Sequence, residues 1–357
     1  MVGPRGQTNS NKSREPEPSP LVSDTSANDL LGPRVDGPTP IRLNTRRSTE
    51  DRAFRGLTMA AGYFSFLVLF LIGLFLLLRS LPAFRYMGLK FFTTTGFVTN
   101  GAHPQFGVLS ALYGSVVVAV VAVLIAVPVS VGAALFINEY APRTFLGFFP
   151  LKSFLTSMVD LMAAVPSVIY GLWGFFVLQP HMIGISKWLS DHLGFFPPFR
   201  VPKGTVVFTS SYMIAGTLVA IMIMPIIASI TREIFSLTPV GEREGAMALG
   251  ATRARVVGDV VLPFSKGGMV GAIMLGLGRA LGEAVAVSII LSLTNGVSLQ
   301  VLHSGGNSIA ALIAARFGSG GTKLGLQALL ACGLVLFVFT LIINLIASAI
   351  VSRSRTR

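Results

Sequence analysis

The sequence predicts an all-α integral membrane protein that crosses the bilayer six times. Three observations carry this: the composition, six long apolar runs, and the placement of lysine and arginine. Of 357 residues, 52% are hydrophobic and 12% charged, with a mean hydropathy of +0.72. Soluble domains carry about a quarter charged residues, so this chain is too apolar to be one. A helix needs roughly 20 apolar residues to span hydrocarbon, and each run meets that length.

The runs cover residues 57–78, 109–137, 153–178, 206–230, 269–293 and 326–351. The first is uncharged. The second, third and fourth enclose Pro128, Pro166 and Pro225, which neighbouring helices in a bundle can accommodate. The third also holds Asp160, and the fifth holds Arg279 and Glu283. Residues 1–56 are polar, rich in Pro and Ser, and without apolar periodicity, so they are read as a disordered cytoplasmic tail. They are too long and polar for the start of a secretory signal. Residues 57–351 form the membrane domain, and 352–357 a basic cytoplasmic end. Placing both termini inside puts 19 of the 28 Lys and Arg residues on the tails and inner loops, against 8 outside, the bias expected of cytoplasmic segments. The net charge of +13 is read as this bias rather than as nucleic-acid binding, because no face interleaves basic and aromatic residues. The single cysteine, Cys332, lies in an apolar run and is read as a small buried hydrophobe. The four histidines sit apart, without metal-ligand spacing. No inverted repeat of the kind found in many secondary transporters is visible.

The loop between the fourth and fifth runs, residues 231–266, is polar yet patterned as helices. Pro239 suits a first helical turn. Glu242 and Glu244 follow where a helix N-terminus favours anions. Residues 246–249 are good helix formers, Gly250 should stop the helix, and Thr252 can cap a second one that ends near Pro263. The product expected is a short helix–turn–helix across the cytoplasmic face. Within it stand Glu244-Gly245-Ala246, then Gly250, then Val260, Leu262 and Pro263. At this spacing the loop resembles the cytoplasmic signature of ABC importer permeases, Glu-Ala-Ala, three residues, Gly, nine residues, Ile, one residue, Leu-Pro. Gly245 and Val260 depart from it conservatively. The resemblance implies that Glu244, Ala246, Gly250, Leu262 and Pro263 couple the chain to an ATP-hydrolysing subunit.

Three further strings narrow the family: residues 136–142 (FINEYAP), 164–174 (AVPSVIYGLWG) and 275–284 (LGLGRALGEA). Together they resemble the C-subunit permeases of phosphate ABC importers, from about residue 55 onward. The resemblance implies the type I ABC importer permease fold in a bacterial cell membrane. It also implies four kinds of partner: a homologous A-subunit permease, two ABC ATPase subunits, an extracytoplasmic phosphate-binding protein, and phosphate itself. The chain has no Walker motif, so it is expected to be a transporter subunit rather than an enzyme. It would hold no cofactor of its own, with ATP and magnesium in the ATPase subunits. A permease for another oxyanion, sulfate or molybdate, shares the coupling loop. An ATP-independent secondary transporter leaves that loop unexplained.

Arg279 and Glu283 are the chemistry-bearing residues of the fifth run. An arginine at mid-membrane costs about 2.5–3.5 kcal/mol on insertion scales, so it needs a partner or a cavity. At positions i and i+4 the two can pair on one helix face. The guanidinium fork also matches phosphate oxygens. Two roles stay open: Arg279 as a transient phosphate contact with Glu283 as its counter-charge, or an ion pair that locks subunits together. Gly278 and Gly282 form a small-xxx-small pair, facing either a second permease or another helix of this chain. Asp160 is expected to be satisfied locally, near Ser157. Tyr170 and Trp173 fit core packing or an interfacial belt. Residues 318–321 (GSGG) are read as a loop, since they lack the lysine and following helix of a phosphate-binding loop.

Overall fold

A computed structural model describes residues 49–99, 103–142, 144, 150–201, 208–318 and 322–354. The chain falls into two units, Met1–Tyr63 and Phe64–Arg357. Of the first, only the helix from Thr49 onward is described. The rest of the expected tail, Arg143, residues 319–321 and the last three residues lie outside the described residues. Helix α1 (Thr49–Met87) starts before the first apolar run, so residues 49–56 are helical rather than tail. Glu50 and Asp51 occupy its first turn, where acidic side chains meet the positive end of the helix dipole.

Among the described residues, six helices are long and apolar enough to cross a membrane: Glu50–Met87, Leu109–Tyr140, Ser167–Leu193, Tyr212–Ser236, Arg253–Gly282 and Lys323–Ala349. The count matches the sequence expectation. After α1 come a short helix α2 (Lys90–Thr93) and strands β1 (Phe97–Val98) and β2 (Gln105–Phe106). The strands pair antiparallel, Phe97 opposite Phe106, a small hairpin that the all-α reading did not foresee. Helix α3 (Leu109–Leu135) ends in a π turn over Phe136–Tyr140.

The third span differs from expectation. The run 153–178 is not one helix: α4 (Leu151–Ala164) stops, the chain is extended at Val165 and Pro166, and α5 (Ser167–Trp173) begins. A π turn, Gly174–Leu178, leads into α6 (Gln179–Leu193), so the spanning helix is 167–193. The reason is local. Pro166 has no N–H for the Met162 carbonyl; that carbonyl accepts from the Val165 N–H at 3.4 Å and from the Tyr170 hydroxyl at 2.9 Å. Asp160 on α4 accepts from Ser229 at 3.0 Å, so its partner is on the next span rather than at Ser157.

Helix α7 (Tyr212–Ser236) is the central post. It is followed by α8 (Val240–Ala248), α9 (Arg253–Val256), α10 (Leu262–Gly282), α11 (Val285–Ile290), α12 (Ile309–Phe317) and α13 (Lys323–Ser354). Leu218, Ile223 and Ile227 of α7 are fully buried, against Ala119, Ala122 and Ala126 of α3, Ala272 of α10 and Ile290 of α11. Small residues on the partners let the backbones approach. A Cβ on Gly114 would lie 1.7 Å from the Asn307 carbonyl oxygen, and one on Gly276 would lie 2.7 Å from Ile227. By contrast Phe66 and Phe70 of α1 are 70% and 57% exposed, a surface suited to lipid. Cys332 is buried, as expected of a small hydrophobe.

Helix α10 also departs from expectation. Its start is continuous with α9 through a π turn, Val257–Val261, so the expected second surface helix is the first part of the fifth span. The widened turn gives room for the ring of Pro263, which lacks the N–H of a regular turn. At its far end α10 stops at Gly282, and Glu283 is extended (φ −69°, ψ 110°).

Packing of this kind is testable at Gly114. Gly114→Ala should destabilise the detergent-extracted protein by about 1–3 kcal/mol, since the rigid carbonyl opposite must move. Gly132→Ala, where a Cβ meets nothing within 4 Å, should be neutral or slightly stabilising. Thermal unfolding of the two variants side by side checks this.

Candidate functional site

The polar loop after α7 folds from its own local chemistry. Pro239 precedes α8 at the capping position, and Glu242 sits in the first turn. Gly250 takes φ +85°, a left-handed conformation that a Cβ disfavours. The N–H groups of Gly250 and Ala251 donate to the carbonyls of Met247 (2.9 Å) and Ala246 (3.1 Å). These are the two bonds of a Schellman ending. The Thr252 hydroxyl then accepts from the Arg255 N–H and caps α9. The stop at Gly250 and the cap at Thr252 are as the sequence predicts.

The signature residues divide by face. Glu244 and Gly250 are exposed. Ala246 and Leu262 meet in one small apolar cluster with Ala134 of α3, Phe235 of α7 and Val261, so the loop closes on its own helical roots. Pro263 stands in the first turn of α10. Leu249 is 91% exposed, with Val240 and Leu237 each at 65%. A leucine held bare on a polar helix is a surface that a partner protein can bury.

Sequence reasoning missed what holds α8 in place. Arg243 faces inward and forms an ion pair with Glu139 at 2.9 Å, and it also donates to the Phe235 carbonyl at the end of α7. Glu139 lies in the π turn that ends α3. The signal available was a glutamate within the FINEYAP string and an arginine inside the signature loop. Their separation in sequence concealed the pairing.

Arg279 lies on α10, exposed, in a groove of about 490 Å³ lined by Ile226, Gly271, Met274, Leu275, Gly278 and Asn344. The expected pair with Glu283 is not formed. The helix ends between the two residues, so the i, i+4 geometry does not apply. Glu283 is half-buried, and its Oε1 accepts from the Ala286 N–H at 3.3 Å. An opening helix turn needs such an acceptor, and the carboxylate serves α11 rather than the guanidinium. The proposed small-residue pair also resolves. A Cβ on Gly278 or Gly282 would meet nothing within 4 Å, so neither packs against a described helix of this chain. The glycines of α10 that pack within the chain are Gly268, against Ile234, and Gly276, against Ile227. In the span-three string, Gly171 lies against α11 and Gly174 against Leu218 of α7, each leaving 2.8 Å for a Cβ. These glycines therefore set how closely α5 meets the break after α10.

The model of the family described as "Binding-protein-dependent transport system inner membrane component" matches residues 130–356. The chain is 40% identical over 301 residues to phosphate transport system permease protein PstC 2 of Mycobacterium tuberculosis, covering 84% of this chain and 91% of that one. It is 39% identical over 317 residues to the PstC protein of Mycobacterium leprae, covering 88% and 97%. Among solved structures, a chain of the MetNI methionine ABC transporter superposes with a TM-score of 0.49 at 16% identity, covering 68% of this chain and 94% of that one. With the family model and relatives of this identity spanning most of its length, the chain belongs to the binding-protein-dependent transport permeases, in their PstC branch, and is a multi-pass membrane subunit rather than an enzyme.

Proposed function

We propose that this chain is the C-subunit permease of an importer that carries inorganic phosphate across a bacterial inner membrane, with both termini cytoplasmic. The observation that carries the reading is the likeness to PstC permeases along nearly their whole length, joined to a cationic side chain in an intramembrane groove. An extracytoplasmic binding protein delivers phosphate to the mouth between this chain and an A-subunit permease. Two ATPase subunits bind ATP and magnesium, close, and move α8. Glu244, Gly250 and the bare Leu249 meet the ATPase, while Ala246, Leu262 and Pro263 join the docking surface to α10. The bundle then rocks and exposes the groove to the other side.

Arg279 is the phosphate contact in this scheme. A guanidinium offers a planar donor fork to phosphate oxygens, and here it lacks a carboxylate partner among the described residues. Glu283, one helix break away, is the counter-charge beside the path, which favours release over retention of a dianion. Asn344 adds an amide to the same groove.

Phosphate uptake by Arg279→Gln should fall by at least about tenfold, the loss expected when one charge-assisted contact is removed. Co-purification of the subunits should be unchanged. A variant that assembles and transports normally ends the pathway role. Leu249→Asp should release the ATPase subunits, because a charge replaces an apolar anchor at the centre of the docking face. Pull-down of the whole transporter reads this directly. In competition uptake, unlabelled phosphate should displace labelled phosphate while sulfate and molybdate do not. Sulfate prevailing would make the chain a permease for that oxyanion.

A further inference from the structure

We infer that Glu139 and Arg243 form the tie through which movement of the docking helix reaches α3 and α7. The inference rests on the reading of α8 as the ATPase-docking helix and names the residues that make its motion useful.

Two ion pairs among the described residues, Arg255–Asp259 and Arg243–Glu139, differ in kind. Arg255 and Asp259 pair at i, i+4 on an exposed surface, their side chains 75% and 60% exposed, a setting worth little. Arg243 and Glu139 are 20% and 15% exposed, and each makes further bonds. The second guanidinium nitrogen of Arg243 donates to the Phe235 carbonyl, in the last turn of α7, where that carbonyl also accepts from the Thr238 N–H at 3.3 Å. The same Glu139 oxygen that meets Arg243 accepts from the Asn138 amide at 2.8 Å. The Asn138 carbonyl in turn accepts from Lys152 in the first turn of α4, at 3.2 Å. One node therefore gathers α8 with the ends of α3, α4 and α7.

The inward face of α8 explains why the node matters. Arg243 and Ala246, three residues apart, are the only positions from Gly241 to Ala248 that are not exposed. A single alanine methyl cannot fix the rotation of a helix. The guanidinium fork can, because its donors are rigid and planar. With it in place, a push on the outer face of α8 moves the end of α3, and α3 is packed along α7 through Ala119, Ala122 and Ala126. Without it, α8 remains docked to the ATPase but slips on its own bundle. Arg243 and Glu139 are thus positioning residues that act through α8.

The test uses the complete transporter in proteoliposomes, with inorganic phosphate outside and ATP supplied to the ATPase side. Arg243→Gln and Glu139→Gln should each keep the ATPase subunits bound and hydrolysis within about twofold, while phosphate taken up per ATP hydrolysed falls about tenfold. The exchanged double variant, Glu139→Arg with Arg243→Glu, should recover that ratio to within roughly threefold, as coupled partners do. A purely structural role moves assembly or hydrolysis rather than the ratio. An unchanged ratio in either single variant overturns the inference, and so does a double variant no better than the singles. Should the Arg243 variants fail to assemble, Glu139→Gln decides by the same ratio. The underlying docking reading fails separately, when Leu249→Asp keeps its ATPase subunits.

Discussion

Inside hydrocarbon every backbone donor and acceptor needs a partner from the protein itself, and the breaks in this bundle are shaped by that constraint. At Pro166 the helix cannot continue its ladder, and the Tyr170 hydroxyl donates to the Met162 carbonyl. At Gly282 the helix stops, and Glu283 supplies an acceptor for the first turn of α11. Near Pro225 the Ser130 hydroxyl of α3 donates to the Met224 carbonyl of α7 at 3.0 Å. Three polar side chains, Tyr170, Glu283 and Ser130, are thus engaged with backbone. What they make possible is a fold in which α5 and α11, both short, meet beside the end of α10 instead of three uninterrupted rods running past one another.

That arrangement places the groove. With α10 ended at Gly282, Arg279 stands in its last turn, near the interruption rather than midway along a regular helix. Gly171 and Gly174 bring α5 against α11 and α7 at distances where a methyl group would collide. The glycines open to space, Gly271 and Gly278, thin the wall of α10 on the groove side. The same helix thus uses one set of glycines to pack inward and another to leave room outward.

The six spans were legible because burial in lipid demands long apolar runs, and composition alone reports those. The polar loop after α7 was legible for a different reason: Gly250 and Thr252 act through bonds to neighbours within five residues, so their spacing carries the geometry. The breaks at Pro166 and after Gly282 were not legible. Whether Pro166 kinks or breaks a helix depends on Tyr170 reaching back across the gap, and apolar periodicity is the same either way. The pairing of Arg279 with Glu283 assumed a continuous helix, which the demand of α11 for an acceptor ended. Arg243 and Glu139 were visible as residues but not as partners, because only the folded ends of α3 and α7 bring them together.

An arginine facing hydrocarbon is unfavourable by roughly 2.5–3.5 kcal/mol even on the gentler insertion scales, and Asn344 on α13 adds a second polar group to the same groove. Lipid is therefore a poor occupant for it. The groove must be wet or covered by protein in the working assembly. The open faces of Gly278 and Gly282 suit close approach by another helix, and no described helix of this chain takes that place. The arginine and the glycines thus point to the same conclusion from different physics. Under the proposed function this chain is one wall of the site, and a second permease and water would complete the enclosure around its cation. This also bears on the proposed tie at Arg243: Ile226 of α7 lines the groove, so motion delivered to α7 through that tie would reach it there.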